Sequence, residues 1–203
     1  MSIYKLGIVA ILLAMALGGS MAIVPAAVAG VSVGQKAPDF SVPDAITNDA
    51  VTLDSLLSQN KAVVLIFVST QCPYSIGYND RVKALTTKYG DLGVAVEGIN
   101  SNATESDQEV TEYKWERHLN YQVLKDYNNV VADKYGATHT PEAYVIDGDG
   151  ILVYHGRIDN NLDLAKVTTH DLSDALDEVL AGKPVLNPQT KAFGCSIKRV
   201  GMQ

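Results

Sequence analysis

Cysteine is scarce in this 203-residue chain: there are two, Cys72 and Cys195, and no Cys-x-x-Cys pair. That scarcity excludes a disulfide-rich scaffold, which needs several bridges, and a zinc module built on paired cysteines. Two cysteines leave three arrangements open: one intrachain bridge, two free thiols, or intermolecular pairing. A block of like charge is also missing. Lys and Arg total 16 against 23 Asp and Glu, interspersed along the chain, for a net charge of -7. Nucleic acid is therefore not an expected partner, because phosphate binding needs clustered Lys or Arg. Internal repeats and low-complexity segments are lacking too, and nothing marks a second domain.

The four histidines, His118, His139, His155 and His170, are scattered, with no two at a metal-ligand spacing on one element. His139 lies two residues before Pro141, but a copper site of His139, Cys72 and a methionine lacks the paired cysteines such sites use; no metal is expected. Asp147-Gly-Asp-Gly150 lacks the further ligands and terminal glutamate of a calcium loop. A hairpin turn accounts for it. Arg157 and Asp159 are placed to pair at a strand end or line a cleft.

One long apolar run is present, at the amino terminus. Lys5 is the only charge before Leu6 to Leu17, and small residues continue to Ala27-Val28-Ala29. A basic start, an apolar middle and an A-x-A end describe a cleavable secretory signal over residues 1–29, with a mature domain from Gly30 to Gln203. The rival reading is an uncleaved anchor, which Gly18, Gly19 and Pro25 weaken as a spanning helix. The expectation is an exported protein, periplasmic or extracellular, touching a membrane only through that segment if it stays uncleaved. In such a compartment disulfides persist.

The remaining residues suit one domain with a sizeable core. Gly34 to Phe40 reads as an extended lead-in, and Thr52 to Leu57 as a short helical turn. Ala62 to Val68 is continuously apolar and rich in β-branched residues, the mark of a strand buried on both faces. Pro73 to Tyr89 carries Ile76, Val82, Leu85 and Tyr89 at helical spacing, with Gly90 as the stop. Leu92 to Ile99 reads as a second strand. Ser106 to Leu119 reads as a polar helix, Tyr121 to Leu124 as a brief strand and Val130 to Tyr135 as a short helix. Ala143 to Ile146 and Ile151 to Tyr154 flank Asp147-Gly-Asp-Gly150 as a hairpin. Leu172 to Leu180 is the final helix. Strands alternating with helices imply an α/β fold, a central mixed sheet flanked by helices and closed by a C-terminal hairpin and helix.

Cys72 falls between the first buried strand and the helix that follows. A helix amino terminus presents unpaired N–H groups and a partial positive charge, and both favour a thiolate. Pro73 suits the first helical position because it has no N–H to leave unpaired. The residues therefore support a nucleophile at Cys72. They equally allow a buried inert thiol or half of a structural bridge.

Gln71-Cys-Pro-Tyr-Ser75 after a hydrophobic strand, with Thr140-Pro141 before a later one, resembles the thioredoxin superfamily. The motifs Gly34 to Phe40, Cys72 to Tyr74, Ile99 to Asn102, Lys134 to Ala137, Thr140 to Glu142, Gly156 to Asp159, Ala181 to Val185 and Gly194 to Lys198 follow in order. Together they are similar to the peroxiredoxin-like, AhpC/TSA-related redoxin subgroup, over nearly the whole mature chain. The resemblance implies a thioredoxin-like fold and a cis peptide bond before Pro141, packed against the active-site cysteine. It also implies that Pro73, Tyr74, Ser75, Thr140 and Pro141 shape the site.

Two departures bear on activity. A peroxidatic site wants proline and threonine or serine upstream of its cysteine; Ser69 falls at the threonine position, but Leu65 occupies the proline position. The peroxidatic cysteine of the family aligns with Ser75, so peroxide reduction is disfavoured. A dithiol within one helical turn is equally absent, since Ser75 cannot resolve a mixed disulfide. Cys195 is the one other thiol in the chain. The expected activity is thiol–disulfide exchange, with Cys72 attacking and Cys195 resolving as the tail folds back over the site. Its partners would be protein thiols or disulfides and an unidentified thiol electron donor, with no dissociable cofactor. The competing reading is a non-enzymatic binding or assembly protein whose Cys72–Cys195 bridge staples the tail, worth a few kcal/mol.

Overall fold

A computed structural model describes residues 30–201; the signal segment expected over residues 1–29 lies outside them. Nine strands and five helices follow in chain order among the described residues: β1 Ser41–Pro43, β2 Ala50–Thr52, α1 Leu53–Leu57, β3 Ala62–Val68, α2 Pro73–Gly90, β4 Val94–Asn100, α3 Asp107–Glu116, β5 Gln122–Lys125, α4 Val130–Tyr135, β6 His139–Thr140, β7 Glu142–Asp147, β8 Leu152–Gly156, α5 Asp171–Leu180 and β9 Cys195–Ser196. The central sheet has the order β5-β4-β3-β7-β8. β3, β4 and β5 run parallel, β7 runs antiparallel to them, and β8, antiparallel to β7, returns to their direction.

β3 sits in the middle because all seven of its residues, Ala-Val-Val-Leu-Ile-Phe-Val, are buried. Its alternate side chains feed two cores. Val64 and Ile66 face Tyr78, Val82, Leu85 and Tyr89 of α2 and Leu172 and Leu176 of α5. Val63, Leu65 and Phe67 face Leu53 of α1, Val131 and Tyr135 of α4, Phe40 of the lead-in and Ile197 of the tail. Each fully buried large aliphatic or aromatic side chain contributes about 1.5–3 kcal/mol. A two-sided core of this kind makes the expected mixed sheet with helices on both faces the stable solution.

Local chemistry sets the helix ends. Thr52 caps α1 and Ser106 caps α3, each in a reciprocal capping box, with Ser55 and Glu109 respectively. Gly136, in the left-handed region at φ 72°, closes α4.

Short extended pieces cover both sheet edges. The lead-in runs beside β8, where Gly34 N–H donates to the Leu152 carbonyl and Ala37 N–H to that of Gly150. Ala45 N–H donates to Val123 at the β5 edge. The β1–β2 ribbon and the β6–β9 ribbon were not expected from the sequence. Their strands are two or three residues long, too short for alternation to be read.

Register brings the site together. Val68 pairs with Asn100, and Phe67 with Glu142. The carboxyl ends of β3 and β4 and the amino end of β7 therefore meet at one rim, which carries Cys72, Asn100 to Glu105, and Thr140 to Glu142.

Candidate active site

Cys72 is the N-cap of α2, with extended backbone at φ -84° and ψ 117° and Pro73 in the first turn. Its sulfur accepts from Ser75 N–H at 3.5 Å, and its thiol donates to the Thr140 carbonyl at 3.1 Å. The peptide bond between Thr140 and Pro141 is cis. Cys72 is buried, only 2 % exposed.

The loop leading to it is held from beneath. The Ser69 hydroxyl accepts from the N–H groups of Cys72 at 3.0 Å and Gln71 at 3.2 Å, and donates to Glu105 at 2.5 Å. The Glu105 carboxylate also accepts from Thr70 N–H at 2.9 Å and from the amides of Asn100 at 2.5 Å and Asn102 at 3.3 Å. Beneath it the Lys125 ammonium donates to Asn100 Oδ1 at 2.7 Å and to the Glu105 carbonyl at 2.5 Å. Burial lowers the pKa of Lys125, against the pull of Asp107, Glu105 and other nearby carboxylates. The Ser75 hydroxyl is turned inward and accepts from Ser69 N–H at 3.0 Å. Ser75 thus braces the loop from the first turn of α2.

The tail folds back over this rim. Cys195 and Ser196 pair antiparallel with Thr140 and His139. On one side Phe193 meets the Tyr74 ring edge-on at 6.0 Å and the Tyr78 ring at 6.3 Å. On the other, Ile197 is buried, its N–H donating to the Thr138 carbonyl at 3.0 Å. Lys198 N–H donates to Asn102 Oδ1 at 2.8 Å, and Arg199 pairs with Asp133. Gly194 explains its own identity. At φ 150° it lies so close to Thr140 that a Cβ would collide with the carbonyl of that residue.

Beneath the β6 strand, the buried Glu142 carboxylate accepts from the N–H groups of Thr138 and His139, each at 2.8 Å, and bonds His155 Nε2 at 2.6 Å. Burial alone would raise the pKa of Glu142; the bonds from His155, Thr138 and His139 outweigh it and hold the carboxyl below its ordinary value. The His155 ring stacks on Tyr144 at 4.3 Å.

The two sulfurs are electrostatically matched. Burial works to raise the pKa of Cys72, but the neighbouring Cys195 thiol and Thr140 hydroxyl and the bond from Ser75 N–H prevail and lower it. Burial, and then the neighbouring Cys72, push Cys195 up to about 11. Thr140 Oγ1 is buried without a hydrogen-bond partner. Ionisation of Cys72 would give that hydroxyl an acceptor, so the orphan favours the charged sulfur.

Of the residues expected at the site, Cys72, Pro73, Ser75, Thr140, Pro141 and Cys195 meet at this rim, and Tyr74 flanks it through Phe193. Arg157 and Asp159 do not pair: Arg157 binds Asp171 at 2.9 Å, and Asp159 binds Arg81 and Tyr78, each at 2.6 Å. Glu105 and Lys125 escaped sequence reasoning, since a lone Glu in a polar loop and a lone Lys ending a strand resemble solvated charges. The weak signal was the Asn100-Ser-Asn102 run beside them. Among the described residues no three His, Cys, Asp or Glu side chains gather as a metal site.

A hollow of about 190 Å³ opens at the sulfur, lined by Ser69, Gln71, Asn102, Cys195, Ser196 and Lys198. Larger hollows lie along α5 and outside Lys125, and neither is lined by a cysteine.

Comparison with known proteins places this geometry. Among curated protein sequences none matches the chain. The structure is similar to that of a hypothetical protein from Sinorhizobium meliloti, 32% identical, covering 86% of this chain and 98% of that one at a TM-score of 0.78. It is similar to an uncharacterized conserved protein from Geobacillus kaustophilus, 28% identical, covering 85% and 94% at a TM-score of 0.78. It also shares its fold with the thioredoxin domain of a thiol-disulfide oxidoreductase from Bacteroides vulgatus, 16% identical, covering 62% and 89% at a TM-score of 0.55. The family model described as the AhpC/TSA family matches residues 33–155, from the lead-in through the cysteine strand and cis-proline to the end of β8. A thioredoxin-like sheet with a helix-capping cysteine facing a cis-proline is what that match spans: the chain belongs to the AhpC/TSA family.

Proposed function

We propose that the protein is a thiol–disulfide oxidoreductase acting outside the cytoplasm, with Cys72 as nucleophile and Cys195 as resolving thiol. One observation carries the reading: the Thr140–Cys195 pairing brings both cysteines to the same hollow, where their acidities are shifted in opposite directions. The Cys72 thiolate attacks a disulfide, forming one S–S bond and expelling a thiolate that takes up the proton Cys72 gave up. Cys195 then attacks the Cys72 sulfur, expelling the second substrate thiolate, which takes the Cys195 proton. The protein is oxidised by two electrons and the substrate disulfide is reduced to two thiols.

The opposed acidities order these steps. While Cys72 is a thiolate, Cys195 keeps its proton and acts as a hydrogen-bond donor. Once Cys72 is tied up in a mixed disulfide its charge is gone, and with it one of the influences that held Cys195 protonated. Cys195 becomes competent when it is needed. The placement outside the cytoplasm rests on the apolar amino-terminal run and its Ala27-Val28-Ala29 end.

A second reading, a permanent staple, draws support from the firm seating of Phe193 and Ile197 on either side of Cys195. Equilibration with a glutathione buffer separates the two. A Cys72–Cys195 potential above about -300 mV supports exchange; a lower one, resistant to reduction, supports the staple. With Cys195→Ala, the exchange reading expects mixed disulfides on Cys72 to accumulate, and their absence in an oxidising buffer would count against it.

A further inference from the structure

We propose that the site takes low-molecular-weight disulfides and excludes disulfides carried on polypeptides, because the chain's own tail occupies the backbone edge beside the sulfur. This rests on the reading of Cys72 as the attacking atom. An incoming polypeptide disulfide brings flanking chain on both sides of its cysteine. To bring its sulfur to Cys72 it must lie beside an exposed backbone, about 4.8 Å away as strands do. The exposed backbone available at this sulfur is that of His139 and Thr140, and Ser196 and Cys195 already fill it. Gly194 is pressed against the Thr140 carbonyl. Phe193 closes the flank against Tyr74, and the Glu105 network fills the floor.

What remains open is the hollow of about 190 Å³. That is space on the scale of a small molecule rather than of a strand with its flanking chain. The hollow is lined by Ser69, Gln71, Asn102, Ser196 and Lys198. Glu105 reaches the hollow too, but its carboxylate is taken up by donors from Ser69, Thr70, Asn100 and Asn102. Electrons and atoms balance as in the exchange above: the small disulfide leaves as two thiols and the protein keeps a Cys72–Cys195 bond.

The test follows oxidation of the reduced full chain by glutathione disulfide and by insulin at equal disulfide concentration, each rate normalised to that of dithiothreitol with the same reagent. Glutathione disulfide should oxidise the protein at least tenfold faster on this scale. Gly194→Ala, which forces the tail off Thr140, should raise the insulin rate and bring the ratio below threefold; Phe193→Ala, which frees the opposite anchor, should act the same way if the first variant is poorly folded. Equal normalised rates in the unaltered chain, or an insulin rate unmoved in both variants, would overturn the proposal. Inertness toward both reagents, together with a Cys72 that resists iodoacetamide, would instead overturn the underlying view of Cys72 as a nucleophile.

Discussion

The Ser69 hydroxyl and the Glu105 carboxylate are joined by a 2.5 Å hydrogen bond that ties the Cys72 loop to the turn after β4. Glu105 is 4 % exposed, and its oxygens accept from Ser69, Thr70, Asn100 and Asn102. This pair is the floor on which the reactive cysteine rests, and its removal has consequences for stability and for the sulfur together.

Glu105→Gln keeps the shape but turns an NH2 group toward donors. Leaving buried donors unpaired should destabilise the fold by about 2–3 kcal/mol, seen as a lower denaturant midpoint at constant slope. A loss under about 0.5 kcal/mol would show that the network is not holding the loop.

Replacing Cys195 by Ala removes the thiol that donates to Cys72. The pH midpoint for iodoacetamide modification of Cys72 should move up, toward that of an ordinary thiol near 8.5. Reading the midpoint rather than the rate separates this effect from any gain in access. A midpoint that stays put or falls would contradict the assigned donor.

Thr140→Val removes a buried hydroxyl that has no partner while Cys72 is protonated. Stability should change by less than about 1 kcal/mol, or improve, since an unsatisfied polar atom is lost. The Cys72 midpoint should nevertheless rise, because the Thr140 side chain favours the thiolate. Stability and reactivity moving together would refute this division of roles.

Glu97 on β4 makes a separate prediction. Burial, opposed by Lys114 and reinforced by Asp44, raises its carboxyl to about 8, and Oε2 has no hydrogen-bond partner. In the unfolded chain the group ionises near 4.3. Between about pH 4.3 and 8 the unfolded state therefore binds fewer protons than the folded one, and stability falls as pH rises, by up to about 1.4 kcal/mol per unit. Glu97→Gln should flatten that slope, so its advantage over the unaltered protein grows from pH 5 to pH 8. Parallel stability curves for the two proteins would disprove it.

The elements longer than about five residues were legible because their patterns are self-contained. Ala62 to Val68 needs both faces buried wherever it goes, and Pro73 to Gly90 follows its Cys72 cap with a stripe of Val82, Leu85 and Tyr89, though Gly90 ends the helix as its last residue and Asp91, not a left-handed glycine, caps it. Cys72, Pro73 and the Thr140-Pro141 step were legible for a related reason, as each sits at a junction between such elements. The β6–β9 ribbon had no such signal: two residues against two, 55 positions apart at Thr140 and Cys195, cannot be read from periodicity.

By itself, then, the sequence determined the strands of the central sheet and the helices around it, that a cysteine caps the helix after the central strand, and that a second cysteine lies in the tail. Those are local consequences of side-chain period, proline and glycine. Only the tertiary structure decided that Cys195 comes to rest beside Thr140, that Glu105 and Lys125 sit beneath the loop, and that Arg157 and Asp159 take other partners. Hydrogen-bond pairing across the chain and the desolvation of charges depend on which surfaces meet, and no local pattern encodes that.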